Sequence, residues 1–156
     1  MSDSDEYEWP SDNGSNEDND EHVEIKNTFF VADDGKKNSP KEALEGFENV
    51  IMMSEDIDEL SKMRFESYEN VVCLSAQLGL YDKMVENQKK LLKMMDKVDR
   101  NVVDESINHI LDAVSTISDA DIQRWIYTIT LDLLKTSNES LWFTMCLRLS
   151  KIYLDT

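Results

Sequence analysis

Apolar residues recur along this chain every three or four positions, the spacing that places them on one face of a helix. The clearest example is the stretch 71–95, in which two such runs flank the short segment Leu78-Gly79-Leu80-Tyr81. Gly79 can adopt the left-handed conformation that ends a helix, because it has no Cβ. A connection this short makes the two helices antiparallel. The stretch therefore predicts a helical hairpin with its apolar faces in contact.

The same spacing predicts helices on both sides of this hairpin. Ser39-Pro40-Lys41-Glu42 matches a capping box with proline at the first helical position. Ser54, Asn101, Ser118 and Asn138 are further candidate helix starts. No run alternates convincingly with a period of two, so the predicted fold class is all-α. The predicted helices cover approximately residues 22–34, 40–53, 56–78, 81–98, 102–117, 119–135 and 139–155.

The predicted helices form pairs whose starts are roughly 35–45 residues apart, which is the period of tetratricopeptide-like solenoids. We therefore predict an α-α hairpin (TPR-like) solenoid over residues 22–156. Residues 1–21 are rich in Asp, Glu, Ser and Asn, with Tyr7 and Trp9 as the only large apolar groups. Such a segment cannot bury enough surface to offset the entropy of ordering, so we predict a disordered acidic tail.

The charge of the chain is strongly negative and unevenly distributed. Lys plus Arg number 16 and Asp plus Glu number 33, which gives a net charge of −17. Ten of the acids precede Ile25, and no Lys or Arg lies among them. This balance excludes nucleic-acid binding through a global basic field. The tail either keeps the chain soluble or docks on a basic partner with Trp9 as its anchor.

Targeting and redox signals are few. No apolar run approaches the ~18 residues of a membrane span, and the N-terminus lacks the basic, then apolar, pattern of a signal peptide. The two cysteines, Cys73 and Cys146, are far apart in apolar helical patterns, which favours buried, reduced thiols over a disulfide or a metal site. We expect a soluble intracellular protein.

Residue patterns that carry catalysis are absent from the sequence. His22 and His109 are isolated from each other and from cysteine clusters, and no glycine-rich phosphate loop or activated nucleophile is recognisable. Trp125, Trp142 and most methionines, Met52 among them, lie on apolar stripes and are interpreted as core. We predict a protein that is not an enzyme and needs no cofactor or metal.

A basic strip is the first candidate binding surface. Lys89, Lys93 and Lys97 are spaced four residues apart and should share a helix face. Two interpretations remain open: a solvated face, or a binding site for an acidic partner or for the chain's own tail. The whole strip comprises Lys83, Lys89, Lys90, Lys93, Lys97 and Arg100.

The predicted helix 139–155 is the second candidate surface, because no following helix is available to cover its apolar face. It either packs back on its neighbour or stacks against a continuing repeat or another subunit. The residues assigned to this assembly face are Leu141, Trp142, Leu149 and Tyr153.

Several motifs together resemble one family. They are Pro40-Lys41-x-Ala43-Leu44-x-x-Phe47, Ser106-Ile107-Asn108-x-Ile110-Leu111-Asp112 and Leu141-Trp142-Phe143 followed by Leu149-x-x-x-Tyr153-Leu154. With the acidic N-terminus, they are similar to the helical-repeat front half of the COP9 signalosome subunit 2 family. The related proteasome lid subunit matches them less well. The C-terminal winged-helix (PCI) module of the family is absent from these 156 residues.

This resemblance implies a non-catalytic scaffold. In the family, the front repeats reach the cullin and RING part of a cullin-RING ubiquitin ligase and hold it for a separate metalloprotease subunit that removes the ubiquitin-like modifier from the cullin. The implied partners are other signalosome subunits and a cullin-RING ligase, with no nucleic acid and no membrane, in the nucleus and cytoplasm. The alternative is a structural assembly subunit of a proteasome-lid-like complex, which packs through its open C-terminal helix.

Overall fold

The computed structural model describes residues 22–135 and 139–155, and these residues form α-helices and 3₁₀ turns with no strand. The all-α prediction is therefore confirmed. The predicted disorder of residues 1–21 and the predicted helix start at Asn138 lie outside the described residues. The helices are α1 (Val23–Gly35), α2 (Pro40–Met53), α3 (Ser61–Leu78), α4 (Tyr81–Lys93), α5 (Arg100–Val114), α6 (Ala120–Leu134) and α7 (Glu139–Asp155), with 3₁₀ turns at Asp58–Leu60 and Met95–Lys97.

The helices stack as a helical-repeat solenoid. Helix α1 packs on α2 and α3 packs on α4, as the sequence pattern predicts for the first two hairpins. Helix α2 also contacts α3, which joins the hairpins. Helix α5 then packs on α3, and α6 packs on α4. The predicted pairing of residues 102–117 with 119–135 as a third hairpin is wrong, because α5 and α6 pack on earlier helices and make few contacts with each other. Helix α7 packs on α6 at the far end. Each element is thus stabilised mainly by its neighbours in the stack.

Two hydrophobic clusters divide the interior, and α3 contributes to both. Val71 and Leu74 face the first cluster with residues of α1 and α2. Phe65, Val72 and Ala76 face the second cluster, which extends through α4, α5 and α6 to α7. The sequence pattern predicted a single apolar stripe on α3, which is wrong because α3 lies between two packed layers.

The turn between α3 and α4 confirms the role assigned to Gly79. Gly79 has φ +75°, in the left-handed region. The backbone N–H of Leu80 donates to the carbonyl oxygen of Ser75 at 2.8 Å. The N–H of Gly79 donates to the carbonyl oxygen of Ala76 at 3.4 Å. This is the Schellman arrangement, which satisfies carbonyls left over at the helix end.

The segment between α2 and α3 differs from the prediction. Ser54 was expected to begin a long helix, but it is buried after the end of α2, and its hydroxyl donates to the carbonyl oxygen of Val50 at 2.6 Å. Helix α3 begins only at Ser61. The guanidinium of Arg64, which is 5% exposed, donates to the backbone carbonyl oxygens of Ser54 and Ile57. These contacts reach across the irregular connection between the two helices, so helical spacing did not reveal them.

The observed N-termini of several helices differ from the predicted capping residues. Helix α2 begins at Pro40 as predicted, but the Ser39 side chain makes no capping hydrogen bond. Helix α5 begins at Arg100, just before Asn101. The cap of α6 is Asp119 rather than Ser118, and its carboxylate accepts from the N–H of Asp121 at 2.9 Å. Except for Ser54, the short polar side chains within the described residues marked the helix starts to within two residues, but they did not identify every capping residue.

Some residues that were predicted to be core lie at the surface. Trp125 is 41% exposed and Met52 is 64% exposed. Trp142 is partly buried against the second cluster. Cys73 and Cys146 are free thiols as expected, although both are only partly buried. The apolar stripe of a helix indicates which face is buried only to within about one position. Residues at the edge of the stripe can therefore face either the core or the solvent.

Within residues 22–135 and 139–155, no helix has the length and apolar character needed to cross a membrane. The same part of the chain holds no group of three or more His, Cys, Asp or Glu side chains arranged to bind a metal ion.

Candidate interaction surfaces

The basic strip is centred on the C-terminal half of α4. Lys89 and Lys93 are exposed, one turn apart on this helix. Lys97 is also exposed, but it lies in the 3₁₀ turn Met95–Lys97. The prediction that Lys89, Lys93 and Lys97 continue along one α-helical face is therefore wrong, because α4 ends at Lys93. Arg100, the first residue of α5, is exposed beyond this turn.

Two of the predicted strip residues are paired with carboxylates. The Nζ of Lys83 lies 2.8 Å from the Oε2 of Glu48 on α2. The Nζ of Lys90 lies 3.8 Å from the Oε2 of Glu86 within α4. Both lysines line a cavity of about 320 Å³ between α2 and α4, which also contains Glu55. Their charge is partly compensated, so Lys89, Lys93 and Lys97 are the better candidates for an acidic partner.

A structural explanation accounts for part of the strip. Helix α4 carries Asp82 in its first turn and Lys90 and Lys93 in its last turn. Acids near a helix N-terminus and bases near its C-terminus both stabilise the helix dipole. This arrangement does not involve Lys97, which follows the helix. The structure therefore places five of the six predicted cations in or just after the C-terminal half of α4, and Lys90 among them also lines the mixed-charge pocket with Lys83.

The assembly face of α7 is not composed as predicted. Leu141 is 6% exposed and belongs to the second cluster, while Trp142 and Leu149 pack partly buried against it. These side chains hold α7 onto the solenoid, so Leu141 is covered and Trp142 and Leu149 are only partly accessible. The side chain of Tyr153 lies outside the described residues. The exposed apolar residues of α7 are Phe143, Leu147 and Leu154, which are 61%, 59% and 85% exposed.

A polar groove between α1, α3 and α5 has no counterpart in the sequence prediction. The Glu69 carboxylate accepts a hydrogen bond from the Ser106 hydroxyl, and its Oε2 lies 3.0 Å from the Nδ1 of His109. Burial raises the pKa of the Glu66 carboxyl, opposed by Lys62 and reinforced by Glu69. These contacts join α5 to α3 across about 40 residues, a separation that no local pattern could have indicated. The groove provides polar contacts between α3 and α5.

The geometry defines the class of protein by its fold: an α-α helical-repeat protein. No protein-family model matches the chain, and no solved structure matches it. Among curated proteins, COP9 signalosome subunit 2 of Drosophila melanogaster is 31% identical over 160 residues, covering 99% of this chain and 35% of the relative. The Caenorhabditis elegans protein of the same name is 31% identical over 163 residues, covering 99% of this chain and 31% of the relative.

A third relative, COP9 signalosome subunit 2 of Dictyostelium discoideum, is 29% identical over 139 residues, covering 86% of this chain and 30% of the relative. This chain is thus similar over most of its length to COP9 signalosome subunit 2, and the resemblance predicted from its motifs is confirmed. The chain spans about a third of the length of the curated relatives it matches.

Proposed function

We propose that this chain is a non-catalytic scaffold subunit of a COP9 signalosome that engages cullin-RING ubiquitin ligases for cullin deneddylation. The observation that carries the proposal is the similarity over 99% of the chain to signalosome subunit 2. The stacked hairpins support it, because helical repeats present extended surfaces for partners. We expect the protein in the nucleus and the cytoplasm.

The contact with the ligase is assigned to the exposed cations at the end of α4. Lys89, Lys93 and Lys97 have no carboxylate within ion-pair distance among the described residues, whereas Lys83 and Lys90 do. An acidic surface would gain most from unpaired cations, since complementary charge mainly speeds association and sets specificity. The strip therefore serves as an electrostatic contact on a rigid support.

A charge-reversal experiment tests this contact. Lys89, Lys93 and Lys97 are replaced with Glu, and capture of a purified cullin-RING ligase is measured together with helicity by circular dichroism. We expect about tenfold weaker capture and unchanged helicity, since exposed charges rarely affect folding. The matched control replaces Lys41, Lys62 and Lys135, which are also exposed and lie on other elements. Equal loss in the two triple variants, or no loss in either, would reject the strip as the contact.

The second candidate function is that of a structural assembly subunit of a proteasome-lid-like complex. It is favoured by the exposed stripe of Phe143, Leu147 and Leu154 on α7. Exposed apolar side chains that recur along one helix are typical of a protein interface. Replacement of Phe143 and Leu147 with Asp should abolish co-purification with other subunits while leaving the helicity intact. Retained co-purification would exclude this stripe as the assembly face.

A further inference from the structure

The outer side of the first hairpin holds an apolar groove of about 610 Å³. It runs between α1 and α2, and its floor includes Ala32 and Ala43 of the first hydrophobic cluster. Val31 and Val23 line it and are 72% and 42% exposed, whereas Phe29 and Phe47 face the cluster. The helices are in close contact at its floor, since a Cβ built on Gly46 would lie 2.9 Å from the Cβ of Ala32. The groove is therefore shallow, with its exposed apolar side chains on the α1 wall.

The size of the groove suits a helix. Its lining extends along α1 from Val23 to Gly35, which corresponds to about 18 Å at 1.5 Å per residue. Elsewhere in the stack, the exposed side of a hairpin is covered by a further helix, as α5 covers α3 and α6 covers α4. Among the described residues, no helix covers this side of α1 and α2. An amphipathic helix of about three turns would bury the two valines.

The charge at the edges of the groove indicates what charge a bound helix should carry. Glu24 and Glu42 line opposite walls and are exposed, and no lysine or arginine lines the groove. Residues 1–21 carry nine carboxylates and no Lys or Arg, so the rim would repel the chain's own N-terminal segment. A second copy of a chain with a net charge of −17 is disfavoured for the same reason.

We propose that this groove binds an amphipathic helix of a partner protein, with an apolar stripe against Val23 and Val31 and with Lys or Arg residues beside Glu24 and Glu42. This site is separate from the basic strip on α4. The strip would recognise an acidic partner, whereas the groove would recognise a basic helix. The proposal does not depend on the partnership with a cullin-RING ligase.

The test uses two synthetic helical peptides of about 14 residues. Both carry Leu at helix-face spacing; one has Lys at the remaining positions and the other has Glu. Binding of each labelled peptide to the full chain is measured by fluorescence anisotropy. We expect the Lys peptide to bind at least about tenfold more tightly than the Glu peptide. Equal binding of the two peptides would overturn the charge assignment.

A pair of neighbouring variants separates groove binding from general attraction to an acidic protein. Val31→Glu places a carboxylate in the groove. Phe30→Glu adds the same charge one residue earlier, at a side chain that is 56% exposed and does not line the groove. General attraction predicts that both variants bind the Lys peptide more tightly. Groove binding predicts about tenfold weaker binding for Val31→Glu and little change for Phe30→Glu. Tighter binding by both variants would overturn the proposal.

Two further outcomes would assign the groove to another occupant and also overturn the proposal. A dimer mass in sedimentation that Val31→Glu converts to a monomer would identify a second copy. Tighter binding of the Lys peptide after replacement of Tyr7 and Trp9 with Ser would identify the N-terminal segment. A monomer whose peptide affinity is unchanged by the Tyr7 and Trp9 replacements would support a partner helix.

Discussion

The two hydrophobic clusters differ in how they are enclosed. The first lies within one hairpin and one side of α3, and its centre is Phe47, which contacts Phe29 edge to face with ring centroids 5.5 Å apart. The second extends over five helices, from Phe65 on α3 to Met145 on α7. In a stacked-hairpin fold, each layer is stabilised mainly by its neighbours. The smaller terminal layer should therefore open more readily than the interior layers.

The sharpest test of this difference replaces one fully buried phenylalanine in each cluster. Phe47→Ala and Phe65→Ala each leave a large cavity, and each should lower the free energy of unfolding by about 3–5 kcal/mol. Hydrogen exchange should show faster exchange confined to α1 and α2 for Phe47→Ala, but spread over α3 to α6 for Phe65→Ala. The same exchange pattern in both variants would show that the two clusters open as one unit.

The connection between α2 and α3 depends on Arg64. Replacement with Met keeps most of the aliphatic stem but leaves the carbonyl oxygens of buried Ser54 and half-buried Ile57 without this donor. We expect a loss of about 2–3 kcal/mol in the free energy of unfolding, measured by denaturant titration. Arg124→Met, at a less buried position on α6, is the control and should cost much less. Equal losses would mean that the carbonyl contacts of Arg64 contribute little.

The close approach of α1 and α2 at Gly46 allows a test that affects only the first cluster, with a smaller expected change in the free energy of unfolding than the Arg64 replacement. Gly46→Ala should gain about 1 kcal/mol in helix propensity, yet its Cβ would lie 2.9 Å from that of Ala32. Overpacking costs about 1–3 kcal/mol, so we expect a net loss of about 1 kcal/mol. In an Ala32→Gly background the same change should stabilise the protein, and thermal unfolding of the four variants measures this coupling. Additive effects would contradict a steric contact.

The smallest effect concerns Cys73, which packs against the second cluster from α3. Burial raises the pKa of its thiol from 9.0 to about 12, with a further contribution from Glu69. In a Cys146→Ser variant, alkylation by iodoacetamide at pH 8 should be at least about 100-fold slower in the folded than in the unfolded chain. Comparable rates would show that the second cluster opens readily around Cys73.

The same shift has a consequence for the pH dependence of stability. Between pH 9 and about 12 the unfolded chain loses the thiol proton, while the folded chain retains it. The unfolded state binds fewer protons in this window, so the contribution of Cys73 to stability is complete below pH 9 and decreases as the pH rises. A Cys73→Ala variant should lack this component in urea titrations across the window.

The prediction of surfaces was less complete than the prediction of helices. The lysines of α4 were recognisable as a basic cluster, but the pairing of Lys83 with Glu48 joins residues 35 positions apart. On α7, the stripe was found, yet Leu141 faces inward and Phe143 outward. The groove on the first hairpin was not predicted at all. A local pattern shows that an apolar face exists, whereas its neighbours decide whether that face is covered.

The sequence by itself determined that the chain is all-helical, where most helices begin and end, and the sharp turn at Gly79. These properties depend on contacts within a few residues: helical spacing of apolar side chains, the fixed φ of Pro40 and the missing Cβ of glycine. Only the tertiary structure decided that α3 is buried on two sides, that Arg64 holds the connection after α2, and which cations and apolar groups remain exposed. Those outcomes depend on how whole helices stack and on which side chains the stacking brings together, and the spacing of residues within one helix does not specify either.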